Sequence, residues 1–205
     1  MCGNNPLLYF DLIGLKQKFV IKQSDINYET FILNQQQFKE IINVFNPTTC
    51  PVGASAFLLE FKGGEAIYDS RCKTCEVDVS SLNVSIYTFL LEPGLQENFQ
   101  TSMHGTIDVY LSESFMQEVK AHEQRHVDVF TAAICSQDFS IDTKFKVNSE
   151  EECIEWESTL RRKFASEINK RTTFLHDNID RESYFITKGP IPMFWFWGYR
   201  FEMKK

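Results

Sequence analysis

The sequence predicts an α+β protein in which a mostly antiparallel N-terminal sheet precedes two long helices. Three observations predict it. Residues 1–100 hold short apolar or alternating runs separated by Gly, Pro and Asn. Two later stretches, Glu113 to Cys135 and Ser149 to Asp180, repeat apolar residues at helical spacing. Strands and helices are grouped rather than alternating, which argues against a parallel β-α-β sheet. At 205 residues the chain suffices for one substantial core. It is read as a single domain: a strand-rich part over 1–100, a helical part over 101–185, and an aromatic tail over 186–205.

In chain order, Lys18-Phe19-Val20-Ile21 reads as a strand. Gln35 to Phe45 reads as a short helix with Phe38, Ile41, Ile42 and Phe45 on one face, and Pro47, Pro51 and Gly53 prevent its continuation. Phe57-Leu58-Leu59-Glu60-Phe61 is a strand, with Gly63-Gly64 as its hairpin turn. Val84 to Leu90 and Thr106 to Leu111 are further strands. The first long helix would start at a Ser114/Gln117 capping box and turn Phe115, Val119, His122, His126, Val129, Phe130 and Ala133 inward. The second would start at a Ser149/Glu152 box, with Cys153, Trp156, Leu160, Phe164, Ile168, Leu175 and Ile179 inward.

Composition excludes several classes. Hydrophobic residues make up 43% and charged residues 24%, ordinary values for a globular chain. A net charge of −7 without a basic stripe argues against nucleic acid as a partner. No segment has the apolar length of a bilayer span. Met1 to Pro6 lacks the basic start and apolar run of a signal peptide. The six cysteines point toward an oxidising compartment, secreted or periplasmic. Cys135 and Cys153 end and begin the two long helices and are the disulfide candidate. Cys72-Lys73-Thr74-Cys75 is a lone C-x-x-C, too little for a structural zinc site. Cys50, Cys72 and Cys75 read as one disulfide plus a spare, or as thiols. Phe194-Trp195-Phe196-Trp197, near Lys204-Lys205, would either pack on the body or touch a membrane interface weakly. The oligomeric state is not encoded in any pattern found.

One motif carries chemistry. His122-Glu123-Gln124-Arg125-His126 is an H-E-x-x-H, and it holds two of the four histidines. On a helix, residues four apart share a face. Two neutral imidazoles stacked there can hold one Zn²⁺, with Glu123 between them as general base for a metal-activated water. The strand just before this helix occupies the place of the edge strand that aligns substrate backbone in metallopeptidases of the zincin type. Val129 and Ala132 stand where a metzincin needs Gly and His, so that type is excluded.

His122-Glu123-Gln124-Arg125-His126-Val127-Asp128 resembles the H-E-Q-x-H-F-D segment of a bacterial family of uncharacterised domains described as predicted secreted zinc-dependent proteases. The similarity extends from about Gly94 to about Tyr184, and Val127 replaces the family's usual aromatic. The resemblance implies a zincin-like fold and hydrolysis of peptide bonds in a peptide or protein substrate. It also sets His176-Asp177-Asn178-Ile179-Asp180-Arg181-Glu182-Ser183 against the family's Y-D-x-x-T-x-H-G, with Glu182 in place of its His.

A catalytic zinc takes a third protein ligand. His176, with Asp180 four residues later as the acceptor that fixes its tautomer, is the leading candidate. Glu182, Glu157 and Glu167 remain alternatives. His104 is a turn histidine or a substrate contact, and Tyr184 or Tyr199 a transition-state donor. Two other classes compete with the peptidase. One is a zincin-fold binding module that keeps metal without cleaving. The other is a disulfide-stabilised interaction protein with an accidental motif.

Overall fold

The structure, a computed structural model, describes residues 16–45, 52–101, 105–181, 184–191 and 197–203. Among them the elements are β1 (Lys16–Phe19), β2 (Ile26–Leu33), α1 (Gln35–Phe45), β3 (Gly53–Gly63), β4 (Ile67–Asp69), β5 (Thr74–Glu76), β6 (Val79–Leu91), β7 (Gln96–Thr101) and β8 (Gly105–Tyr110). They continue with α2 (Glu113–Cys135), β9 (Phe139–Asp142), β10 (Lys144–Lys146), α3 (Glu150–Ile154), α4 (Trp156–Ile179), β11 (Tyr184–Pro190) and β12 (Trp197–Met203). The protein is thus mixed α and β, with several sheets and four α-helices among the described residues.

The sheets are ordered β1-β9, β10-β5-β4, β11-β12-β8-β7 and β2-β6-β3. They are not confined to the first half of the chain. Strands beyond α2 return to earlier ones: Phe139 pairs with Phe19, Phe145 with Cys75, and Tyr199 with Val109. β9 and β10 have only four and three residues, and such runs carry little periodicity. Most pairings are antiparallel; β12 beside β8 is parallel. β8 therefore lies between β7 and β12 and is not an edge strand, contrary to the expectation for the strand preceding α2.

The local chemistry departs from expectation in four places. The N-cap of α2 is Ser112, whose Oγ accepts from the Phe115 amide at 3.2 Å; Ser114 lies inside the first turn. The second helix breaks at Glu155 into α3 and α4. Ser149 caps α3 by accepting from the Glu152 amide at 3.3 Å. Half of the box is redirected, because the Glu152 carboxylate accepts from the Asn148 amide at 2.7 Å. Gly63-Gly64 closes no hairpin, since β4 pairs with β5 and not with β3. Gly63 is instead a point of close approach: a Cβ there would lie 2.0 Å from the Asp78 carbonyl oxygen. On α4, Leu175 is exposed, and Phe164, Ile168, Thr172 and His176 form the buried stripe at spacing four.

The disulfide candidate Cys135–Cys153 is corrected. Cys153 is bonded to Cys75, with their Cα atoms 5.3 Å apart, and Cys135 is free and exposed. The last turn of α2 buries Ile134, and the next residue, about 100° further round the helix, faces solvent. α3 turns Cys153 inward toward β5, where Cys75 is fully buried. Cys72 is disulfide-bonded too, while Cys2 and Cys50 lie outside the described residues.

The chain forms two compact units. The first takes described residues from Met1–Asn27, Leu58–Ser85 and Thr131–Arg171; the second takes Tyr28–Phe57, Ile86–Phe130 and Thr172–Lys205. In the first, Phe164 stacks on Phe61 at 5.7 Å and meets Phe139 at 5.1 Å, and the Cys75–Cys153 bridge lies here. In the second, Val52, Ala54, Leu91, Val109, Leu111, Phe115, Val119 and Phe201 pack into one core. Phe201 meets Phe99 edge-on at 4.9 Å and stacks on Phe115 at 5.4 Å, so this part of the tail belongs to the body. Phe194, Trp195 and Phe196 lie outside the described residues. No helix among the described residues is long and apolar enough to cross a membrane.

Candidate metal centre

The H-E-x-x-H segment lies in the middle of α2, within the second unit. Capping by Ser112 and burial of Phe115 and Val119 fix the rotation of this helix. The same rotation carries His122, Glu123 and His126 inward, at 2%, 1% and 5% exposure. One ligating atom from each gathers within 4.8 Å of the others. The two Nε2 atoms are 3.2 Å apart. Two donors on a tetrahedral shell with bonds of ~2.0–2.1 Å would be roughly 3.3–3.4 Å apart, so this pair fits a zinc ion.

Strand β3 supports Glu123. Ser55 Oγ donates to Glu123 Oε2 at 2.8 Å and is 3.3 Å from its backbone carbonyl oxygen. Gly53 lets the strand lie this close. A Cβ at that position would come 2.7 Å from Val119 Cγ1 and 3.0 Å from Glu123 Oε1. Neither residue was expected from the sequence. The available signal was the run of small residues Gly53-Ala54-Ser55-Ala56, which suits a strand pressed against a helix.

The end of α4 supplies the opposite wall. The Asp180 amide donates to the His176 carbonyl at 2.8 Å, so helical geometry continues through Asp180 and the two side chains sit one turn apart. Asp180 Oδ1 lies 3.1 Å from His126 Nε2 and 3.6 Å from His122 Nε2. His176 Nδ1 meets His126 on its other ring nitrogen, Nδ1, at 2.7 Å. The His176 ring leans on Phe130 at 4.4 Å, and its buried Nε2 has no partner among the described residues. Sequence reasoning brought both residues to this place, with His176 facing the metal and Asp180 behind it; here Asp180 faces the paired Nε2 atoms.

The other candidates are not gathered here. Glu157 and Glu167 belong to the first unit, where Glu167 accepts from Gln137 Nε2 at 2.9 Å. Tyr199 is half-buried in β12, with Lys188 5.9 Å from its ring centroid. His104, Glu182 and the Tyr184 side chain lie outside the described residues.

Burial sets the charge states. It pushes Glu123 up to about 7, against the Ser55 hydrogen bond, which favours the carboxylate; nearby Asp180 adds to the rise. It pushes His126 down to about 4, helped by His122 and Arg125. His176 also falls to about 4, through burial and then His126, with Asp180 and Asp177 opposing. Asp180 is raised by burial, with His122 and His176 pulling the other way. At neutral pH His126 and His176 are therefore neutral, the form that can donate a lone pair to a metal. Arg125 Nη2 is 3.2 Å from His122 Nδ1. A guanidinium can only donate, so the ring accepts there and a neutral His122 carries its proton on Nε2. Metal binding at Nε2 by a neutral ring therefore requires the proton to move to Nδ1 and the Arg125 contact to be given up.

Comparisons with models of known protein families, with curated proteins and with solved structures find no match for this chain.

Proposed function

We propose that this protein is a zinc-dependent metallopeptidase with a zincin-like core, acting in a secreted or periplasmic setting. The observation that carries the reading is the buried convergence of His122 Nε2, His126 Nε2 and the Glu123 carboxylate on one stretch of α2. Accident explains it poorly. Burying two imidazoles and a carboxylate together costs several kcal/mol unless partners satisfy them. The resemblance of His122–Asp128 to predicted secreted zinc-dependent proteases points the same way. The Cys75–Cys153 bridge supports an oxidising compartment.

When bound, zinc would supply a Lewis acid and a water of lowered pKa. His122 and His126 would hold it. Glu123 sits where it can take a proton from the attacking water and return it to the leaving amine. Burial raises its carboxyl in the metal-free site, the direction that favours taking a proton, and the charge of a bound ion would act against that rise. Ser55 keeps its carboxylate in one orientation through the 2.8 Å bond. A second reading, a metal-holding binding module without turnover, is favoured by one observation: Glu123 is only 1% exposed, leaving little access for a peptide in this conformation.

Glu123→Gln separates the two. The peptidase reading expects zinc content to be kept and cleavage of a mixed peptide library to fall by a factor on the order of 10³. Equal cleavage by variant and wild type would remove the general-base role. Zinc bound with no cleavage by the wild type would leave the binding module.

A further inference from the structure

The sequence offers His176 as third ligand with Asp180 behind it. The distances assign the opposite roles. His122 Nε2, His126 Nε2 and Asp180 Oδ1 form a triangle with edges of 3.2, 3.1 and 3.6 Å. These bracket the roughly 3.3–3.4 Å edge of a tetrahedral shell with bonds of ~2.0–2.1 Å. One ion can touch all three atoms at ordinary zinc distances without moving the backbone. His176 stands elsewhere. Its Nδ1 is held 2.7 Å from Nδ1 of His126, on the side of that ring opposite the triangle. The ring centroids are 4.9 Å apart and the planes 29° apart, so the rings meet edge to edge, as an in-plane N–H donor requires.

The proton inventory of the His126–His176 pair agrees. With the Nε2 lone pair of His126 directed at a metal, its Nδ1 carries the hydrogen and donates. The acceptor at 2.7 Å is His176 Nδ1, so His176 keeps its own hydrogen on the buried Nε2, which has no partner among the described residues. A histidine ligand that donates its far N–H to a fixed acceptor is the usual arrangement behind a zinc site, with imidazole here in place of the commoner carboxylate or carbonyl. Phe130, at 4.4 Å, holds the His176 ring against rotation. The helix spacing explains how one element does both jobs. His176 and Asp180 are four apart at the end of α4, as His122 and His126 are on α2. His176 reaches the back of His126 while Asp180, one turn on, reaches the front of both histidines.

We propose that Asp180 is the third protein ligand of the metal and that His176 is a positioning residue that holds His126 in its metal-binding tautomer. This assignment rests on the zinc-hydrolase reading of the same site. It gives the site two imidazoles and one carboxylate, one unit of positive charge fewer than three imidazoles would leave around the same ion.

X-ray absorption on the zinc-loaded full chain, combined with chelator competition, tests it. The imidazole multiple-scattering signal should count two rings. Asp180→Ala should weaken zinc binding on the order of a hundredfold or more, through loss of a ligand. His176→Leu should weaken it by roughly 10–100-fold, and His176→Gln should recover most of that, because an amide oxygen can accept from His126 Nδ1 but binds zinc poorly. Three imidazoles in the wild type, or His176→Gln as damaging as His176→Leu with Asp180→Ala harmless, would overturn the assignment. The scattering experiment needs no variant and decides even where a substitution unfolds the chain. If the wild type takes up no zinc at all, both this assignment and the hydrolase reading fail. Zinc held by two imidazoles in a protein that cleaves nothing sinks only the hydrolase.

Discussion

Glu123 is the residue on which chemistry and stability pull in different directions. Its carboxyl is buried and pushed up to about 7, from an ordinary value of 4.5. In the metal-free protein the folded state therefore binds a proton that the unfolded chain releases. The stability linked to this group is complete below pH 4.5 and is lost as pH rises to about 7. Glu123→Gln removes the effect. The metal-free variant should gain stability over the wild type progressively between pH 4.5 and 7, by about 3 kcal/mol above that window. Denaturant melts of both proteins across this range check it; a gap that does not change with pH would mean that Glu123 is not held protonated. Legibility at this scale was uneven. His122, Glu123 and His126 were readable because residue type and spacing alone define the motif. His176 and Asp180 were readable as neighbours of the site, since i and i+4 on one helix must share a face. Which of them faced the paired histidines was not, because that depends on the rotation of α4 relative to α2. Ser55 was signalled only indirectly, by the small-residue run Gly53-Ala54-Ser55-Ala56 to which it belongs.

Helices were the most legible elements. α1 spans Gln35–Phe45 and α2 spans Glu113–Cys135, as the apolar spacing predicts. The cap of α2 lay two residues earlier than expected because only Ser114 fits the capping-box pattern, with Gln117, whereas Ser112 caps through its hydroxyl alone, with Phe115 three residues on. The strands were harder. β3 and β6 extend beyond their predicted cores, β2 carried no recognised signal, and β8 is paired on one side with β12, a strand nearly ninety residues further along the chain. The Cys135–Cys153 expectation failed for a related reason: nearness along the chain says nothing of which side of a helix a thiol occupies. The contact between β3 and α2 has its own test. Gly53→Ala would drive a methyl group to 2.7 Å from Val119 Cγ1, and Val119 is fully buried and has no room to yield. The expected cost is about 1–3 kcal/mol, and because Glu123 Oε1 is the next atom met, any peptide cleavage should fall with it. A variant with wild-type stability in denaturant melts would show that the strand does not press on the helix in this way.

At the scale of the whole molecule, the candidate site draws on three segments well separated in sequence: Gly53–Ser55, His122–His126 and His176–Asp180, all within one compact unit. The site concentrates buried groups that are costly to leave unpaired: three histidines, a glutamate raised to about 7 and a His176 Nε2 without a partner among the described residues. A metal ion would offset much of that cost, since its binding free energy is also folding free energy. The central claim is therefore that a metal belongs here. Elemental analysis of protein purified without chelators or affinity metals, alongside His122→Ala, tests it most directly. The account predicts about one zinc per chain in the wild type and a loss of most of it in the variant. A wild type that carries no zinc and takes none up on addition would contradict it.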